Sequence, residues 1–131
     1  MTRRTTIVRA GLVAAMTFTL SVTAIPSASA AGAAHGCPAG YVCIYPRNAG
    51  WNRDRPEHRY YTYGYHNLSN EYGIHRVFNN QTGNAVVWYC RGYNGTGGST
   101  ALLGSPYAFD DDLTPINSII LAAENYGVDP C

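Results

Sequence analysis

The feature that most constrains the fold of this chain is its set of four cysteines, Cys37, Cys43, Cys90 and Cys131. An even number of cysteines in a small exported domain is typical of a disulfide scaffold. Three pairings are possible. The short spacing from Cys37 to Cys43 favours a bridge around the turn at residues 38–40, which leaves Cys90 to pair with Cys131. The alternative is a metal site, but Cys37 and Cys43 are too widely spaced for a zinc knuckle and no histidine lies at ligand spacing to either.

The first thirty residues have the pattern of an export signal. They begin with three basic residues, Arg3, Arg4 and Arg9. Residues 10–24 are apolar and nearly uncharged, and residues 28–30 read Ala-Ser-Ala, which are the small residues that a signal peptidase requires. We therefore expect cleavage after Ala30, so that residues 1–30 are a removed signal peptide and residues 31–131 form a single secreted domain.

The charge of the expected domain excludes a nucleic-acid binder that works by neutralising phosphates. Three of the nine basic residues lie in the signal, which leaves six arginines against eight acidic residues and a net charge of about −2. Phosphate binding requires a clustered positive field. Beyond the signal, no apolar run reaches membrane-spanning length. We expect a monomer without a membrane or nucleic-acid partner and without a cofactor.

The composition favours short β-strands joined by turns. The chain has eleven Tyr, two Trp and fourteen Gly, and it has no Lys. Four β-rich runs are predicted strands, at residues 41–45, 74–78, 85–89 and 119–122. The Tyr-dense segment at residues 59–65 is predicted to be one further strand with a single packed face.

The chain also matches itself at an offset of 44 or 45 residues. Residues 44–47 align with residues 88–91, and residues 67–69 (Asn-Leu-Ser) align with residues 112–114 (Asp-Leu-Thr). Such a match predicts two similar halves of about four strands each. Two halves of this kind make a two-sheet Greek-key sandwich. The alternative is chance similarity in a chain rich in Tyr and Gly.

These motifs resemble a known family. The Cys-Pro-Ala-Gly-Tyr-Val-Cys start at residues 37–43, the aromatic and glycine turn at residues 89–95, and the Asn-Asn pair at residues 79–80 are similar to the small secreted βγ-crystallin-type peptidase inhibitors of actinomycetes. The resemblance covers nearly all of residues 37–125. It implies an all-β, disulfide-stapled βγ-crystallin-like sandwich of two Greek keys that inhibits peptidases, and above all metalloproteinases. A killer-toxin-like group shares this fold, and fold alone does not decide function.

The resemblance also suggests calcium binding as a property to check, because many βγ-crystallins bind calcium through paired Asn or Asp residues. The corresponding stretches here, residues 68–73 and 113–118, have lost those paired positions. The acidic run at residues 110–112 lies nearby and is interpreted as a solvated turn. We therefore expect no metal.

The sequence contains no recognisable catalytic motif: no nucleophile elbow, no zinc-protease His-Glu-x-x-His and no phosphate-binding glycine loop. Three histidines lie on predicted strands, His58, His66 and His75. Their spacing defines no common site, so each is interpreted as a surface or cross-strand residue. Glu57, Glu71 and Glu124 form a glycosidase-like carboxylate couple with the acidic run only if the fold brings them together. We expect a protein that is not an enzyme.

The function that remains is binding through a rigid loop, and the expected partner is a secreted protease. One candidate is the Gly-rich stretch at residues 95–104, predicted to be a loop that exposes Leu102 and Leu103, because thermolysin-type peptidases favour a large apolar residue after the scissile bond. The other is Trp51, which is followed by Arg-Asp-Arg at residues 53–55 and belongs to a residue type favoured at interface hot spots. The alternatives are that the leucines enter the core and that Trp51 caps one end of the sandwich.

Two other functions remain open. The tyrosines of residues 60–65 would suit a carbohydrate-binding module that stacks sugars on aromatic rings, although cross-strand packing explains them as well. An antimicrobial, killer-toxin-like protein is the second alternative. The negative net charge of the domain argues against a cationic, membrane-active form of it.

Overall fold

The computed structural model describes residues 32–125 and 127–131, without the side chain of Leu102, and these residues form eight β-strands and no helix. In chain order the strands are β1 (Tyr41–Ile44), β2 (His58–Tyr60), β3 (Gly64–Asn67), β4 (Ile74–Asn80), β5 (Val86–Gly92), β6 (Thr96–Gly104), β7 (Tyr107–Asp112) and β8 (Ser118–Ala122). A search of this part of the chain finds no helix that could span a membrane. The predicted signal peptide of residues 1–30 and its cleavage site lie outside the described residues.

The strands form two antiparallel sheets of four strands each, in the orders β2-β1-β4-β7 and β3-β8-β5-β6. The first half, β1–β4, places three strands in one sheet and its third strand in the other. In the second half, β5–β8, three strands belong to the second sheet, and the third strand of that half, β7, belongs to the first sheet. Exchanging the halves therefore converts one sheet order into the other, so the internal match in the sequence corresponds to a repeat in strand topology.

The main hydrophobic core lies between the sheets. Alternate side chains of a strand point to the same face, so Val42 and Ile44 of β1 point inward, as do Val87 and Tyr89 of β5. The core contains Val42, Ile44, Leu68, Val77, Val87, Tyr89, Leu103, Leu113, Ile116, Ile119 and Leu121. Two of these leucines, Leu68 and Leu113, are equivalent in the sequence repeat.

A smaller cluster covers the outer face of β1, where Cys37, Cys43, Tyr45 and Phe78 are buried together. The predicted disulfide pairing is confirmed: Cys37 bonds to Cys43, and Cys90 bonds to Cys131. The first bridge closes the turn that leads into β1, and the second joins β5 to a residue 41 positions further along the chain.

The prediction of one strand over residues 59–65 was wrong. The chain leaves β2 after Tyr60 and enters β3 at Gly64, and these two strands belong to different sheets. Gly64 has a φ of 105°, a backbone conformation that residues with a Cβ rarely adopt. An alternating sequence pattern indicates extended backbone, but it carries no information on where the chain crosses from one sheet to the other.

The prediction of a loop at residues 95–104 was also wrong, because Thr96–Gly104 form the edge strand β6. The pairing of β6 with β5 shifts register between Tyr89 and Gly92, which marks a β-bulge. Gly97 and Gly98 have φ values of 85° and 80°. Glycine adopts this conformation at little cost, so a Gly-rich stretch is compatible with an irregular edge strand.

Candidate functional site

The longest connection between described strands is residues 45–57, which we call the β1–β2 loop. Its backbone turns repeatedly upon itself: Asn52 N–H donates to the Ala49 carbonyl at 2.9 Å, and Asp54 N–H donates to the Trp51 carbonyl at 2.8 Å. Asn52, Arg53 and Asp54 have φ values of 48°, 54° and 61°. Asn and Asp tolerate this left-handed conformation better than most residues, so the local sequence suits the turn.

Trp51 lies half-buried within this loop and is fixed by four neighbours. Its ring stacks on His35, with 3.7 Å between ring centroids and an angle of 10° between planes. The rings of Tyr45 and Phe78 meet it edge-on at 5.2 Å and 5.4 Å, and the Arg76 guanidinium carbon lies 4.7 Å from its centroid. Each aromatic pair contributes about 0.5–1.5 kcal/mol beyond area burial. The structure therefore places Trp51 as a support for the loop.

Polar contacts join the loop to the segment before the first disulfide. His35 Nδ1 and Asp54 Oδ1 lie 3.0 Å apart, and the Tyr45 hydroxyl donates to the His35 carbonyl at 2.7 Å. Burial, assisted by the nearby Asp54 charge, raises the pKa of Tyr45 to about 12. A Cβ at Gly36 would lie 1.8 Å from the Asp54 carbonyl oxygen, so only glycine allows this close approach. The segment before the first disulfide therefore packs closely against the β1–β2 loop.

The side chains exposed at the tip of the loop are those of Arg53, Asp54 and Arg55. Pro56, which follows them, is buried and fixes its own φ. The Asn52 amide donates to the Arg55 carbonyl at 2.8 Å, which closes the turn beneath the tip. The loop therefore presents two positive charges around one negative charge on a well-anchored backbone.

The leucines of the second candidate segment are placed differently. The Leu103 side chain is 3% exposed and belongs to the core, and its carbonyl accepts a hydrogen bond from the Asn79 amide at 2.9 Å. The side chain of Leu102 lies outside the described atoms. In this conformation Leu103 offers no side chain to a partner, because the alternation of β6 turns it toward the opposite sheet.

The tyrosines of residues 60–65 do not share one face. Tyr60 packs against the core, and its burial, with smaller effects of Glu71 and Glu57, raises its pKa to about 12. Tyr61 and Tyr63 are 62% and 61% exposed and line a groove of about 460 Å³.

This groove contains a buried polar atom. Gln81 is 5% exposed and lines the groove, and no described residue donates a hydrogen bond to its Oε1 atom. A buried carbonyl oxygen without a donor is costly, so this atom lowers the stability of the fold unless a donor reaches it.

The acidic run at residues 110–112 belongs to strand β7, so the prediction of a turn was wrong, although Asp110 and Asp112 are exposed as expected. Both carboxylate oxygens of Asp110 accept hydrogen bonds from Arg76 at 2.7 Å, which lowers the pKa of Asp110. Asp112 accepts a hydrogen bond from the Thr114 backbone at 2.9 Å, and contacts with Thr114 lower its pKa as well. Two of the three acids are therefore engaged within the protein.

The fold assembles one cluster that the sequence did not predict. The Glu71 side chain, in the loop between β3 and β4, is 5% exposed. Its Oε1 lies 2.6 Å from His58 Nε2, and its Oε2 lies 3.3 Å from His75 Nδ1. The carboxylate of Glu57 reaches the same place. His66, in contrast, lies near the Thr62 carbonyl and takes no part.

The sequence contained little signal for this cluster. Glu71 and His75 are four residues apart, a spacing that indicates contact on a helix but not in a loop followed by a strand. Glu57 and Glu71 therefore lie beside histidines. They do not form the carboxylate couple with residues 110–112 that the sequence analysis considered.

No family model, no curated protein and no solved structure matches this chain.

Proposed function

We propose that this protein is a secreted peptidase inhibitor with a βγ-crystallin-like fold, and that it acts by binding and without catalysis. The exchange of the third strand between the sheets in both halves supports two interlocked Greek keys of that type. The two disulfides fit an extracellular protein. Resemblance in residues 37–43 favours a metalloproteinase as the target.

The observation that carries the inhibitory function is the anchored β1–β2 loop. Binding costs free energy wherever side chains and backbone become ordered, and a loop that is already ordered avoids most of this cost. Here Trp51 supports the loop from within, His35 contacts Asp54 from the preceding segment, and the Cys37–Cys43 disulfide fixes that adjoining segment. The exposed Arg53 and Arg55 are then available to a partner at low entropic cost.

The conformation of the tip suggests how it binds. Residues 52–54 are left-handed, whereas a peptide held for cleavage is extended. The tip is therefore not a substrate mimic. We infer that it covers the cleft of a peptidase, with Arg53 and Arg55 paired to carboxylates at the rim, because charge-assisted pairs from arginine are frequent interface hot spots.

The test measures inhibition constants of the disulfide-bonded protein against a panel of metallo-, serine and cysteine peptidases. The double variant Arg53→Ala/Arg55→Ala is expected to weaken inhibition about 30-fold or more, equal to about 2 kcal/mol, without lowering the melting temperature. Arg91→Ala, an exposed arginine on β5, is the matched control and should leave inhibition unchanged.

Trp51→Ala is expected to weaken inhibition and to lower the melting temperature, because it removes the support of the loop. Trp88→Ala, a half-buried tryptophan on β5, should lower only the melting temperature. Absence of inhibition by the wild-type protein at micromolar concentration, across the whole panel, would reject the proposed function. An unchanged inhibition constant in the Arg53/Arg55 variant would reject this loop as the contact surface.

A second candidate function, carbohydrate binding, is favoured by the groove at Tyr61 and Tyr63. Exposed rings that line a groove suit a sugar, which offers apolar faces for stacking. A glycan array tests this idea. A hit that is lost in Tyr61→Ala and kept in Tyr107→Ala, an equally exposed tyrosine on β7, would favour a lectin over an inhibitor.

A further inference from the structure

The Glu71 carboxylate requires compensation for its burial. Moving a carboxylate out of water costs several kcal/mol unless it is paired with a positive charge. Among the described residues, its side-chain partners are His58 and His75, and no arginine forms an ion pair with it. Imidazole and carboxylate are both ligand types that divalent transition metals accept, so the same side chains suit a bound cation.

We propose that Glu57, His58 and Glu71 form a binding site for a divalent transition-metal ion such as Zn²⁺. One imidazole nitrogen and two carboxylates supply three ligand atoms within 4.8 Å of one another. Three protein ligands with one open position are a common arrangement for zinc. This proposal is independent of the proposed inhibitory function.

The donor set favours zinc over calcium. Calcium takes six to eight oxygen ligands in flexible geometry, and imidazole is not among its usual ligands. Imidazole suits zinc, copper, nickel and iron, and affinity for zinc exceeds that for manganese and iron at sites of this kind. The site also differs in place and in residue type from the acidic run on β7, where Asp110 and Asp112 are already engaged.

Small side-chain movements would create the coordination geometry. Zinc–ligand bonds of about 2.0–2.2 Å place tetrahedral ligand atoms about 3.3 Å apart. His58 Nε2 and Glu71 Oε1 lie 2.6 Å apart as a hydrogen-bonded pair, so they must separate by less than about 1 Å to admit the ion. Glu57 is exposed and His58 is 40% exposed, so both side chains have room to adjust.

His75 is assigned the role of a positioning residue. Its Nδ1 lies 3.3 Å from Glu71 Oε2 and 2.9 Å from the Tyr45 carbonyl, and its side chain is 4% exposed. This contact holds one Glu71 oxygen and leaves the other, Oε1, directed toward His58. Such outer contacts fix the orientation of a ligating carboxylate.

Two of the three proposed ligands border a solvent-accessible groove. Glu57, Glu71 and His75 line an open groove of about 440 Å³ together with Pro46 and Arg47. Water or an anionic group of a partner would complete the coordination there. A bound ion would also join the start of β2 to the β3–β4 loop, so it should stabilise the folded protein in proportion to its concentration.

The test is a titration of the disulfide-bonded, metal-free protein with ZnCl₂ by calorimetry and by thermal unfolding. We expect one ion per chain, a rise in melting temperature with ZnCl₂, and none with an equal concentration of CaCl₂. Co²⁺ should compete for the same site and give the visible absorption of a tetrahedral centre. Glu71→Gln and His58→Ala are each expected to lower zinc affinity by about 100-fold or more.

His66→Ala is the matched control, since His66 lies on β3 outside the cluster. It should leave zinc affinity unchanged. If Glu71→Gln does not fold, Glu57→Gln alters only an exposed ligand and should lower affinity by about tenfold while leaving metal-free stability intact. Failure to bind zinc at millimolar concentration, preference for calcium, or equal losses in His58→Ala and His66→Ala would each overturn the site.

Discussion

The two halves of the molecule share their strand topology and differ in the connection between their first two strands. In the first half this connection is the β1–β2 loop, which packs its own aromatic cluster around Trp51. In the second half only residues 93–95 separate β5 from β6. The repeated strands build the scaffold, and the unrepeated loop carries the proposed contact surface.

The difference has a local origin in sequence. Residues 94–95 read Asn-Gly with φ values of 59° and 67°, a combination typical of tight hairpins. A Cβ at Gly95 would lie 2.9 Å from Ile120, so the hairpin also packs closely on β8. The first half has no such dipeptide after β1 and instead extends into a longer loop that needs support from His35 and Phe78.

The largest expected effect is the loss of unfolding free energy when a disulfide is removed, and it should differ between the two bridges. Removing the Cys90–Cys131 bridge by alanine substitution should cost about 4 kcal/mol of unfolding free energy, and removing Cys37–Cys43 about 2 kcal/mol, because the first closes a much longer loop. The sequence separations are 41 and 6 residues. Urea unfolding measures both. A larger loss from the shorter bridge would show that Cys37–Cys43 acts chiefly by holding the β1–β2 loop and not through chain entropy.

The next effect tests whether the halves are equivalent in packing. Leu68 and Leu113 occupy matching positions of the repeat and are 3% and 0% exposed. Leu68→Ala and Leu113→Ala should each cost about 3 kcal/mol, as expected for a buried leucine. Thermal and urea unfolding report the values. A difference above about 2 kcal/mol would mean that the topological symmetry does not extend to the energetics of the core.

The smallest effect concerns a link between the halves, the Arg76–Asp110 pair that joins β4 to β7. The pair is partly exposed, so a double-mutant cycle with Arg76→Gln and Asp110→Asn should give a coupling of about 1 kcal/mol at pH 7. The cycle also cancels the separate contact of Arg76 with Trp51.

The sign of the pH dependence of the Arg76–Asp110 interaction follows from the lowered pKa of Asp110. A carboxyl group whose pKa is lower in the folded state stabilises the protein above the unfolded pKa and loses this contribution as the pH falls through the folded pKa. The stability difference between wild type and Asp110→Asn should therefore vanish in acid. A difference that persists at pH 2 would exclude the ion pair as its cause.

The β character, the disulfide pairing and the twofold repeat were accessible from sequence because they depend on local features. Cysteine spacing, strand-forming runs at residues 41–45 and 85–89, and the offset of 44 or 45 residues are read directly along the chain. The same local signals failed at residues 59–65 and 95–104. At residues 59–65 the outcome depended on a crossing between the two sheets, and at residues 95–104 it depended on pairing with β5.

The functional surfaces were decided only by tertiary structure. Whether Trp51 is an exposed anchor or a support depends on its meeting His35 and Phe78, which lie far away in sequence. The Glu71 carboxylate meets His58 only because the β3–β4 loop folds back over the start of β2. The local sequence pattern determines which backbone conformations have a low free energy. Burial and charge pairing depend instead on contacts between residues far apart in sequence. These contacts exist only once both sheets have formed.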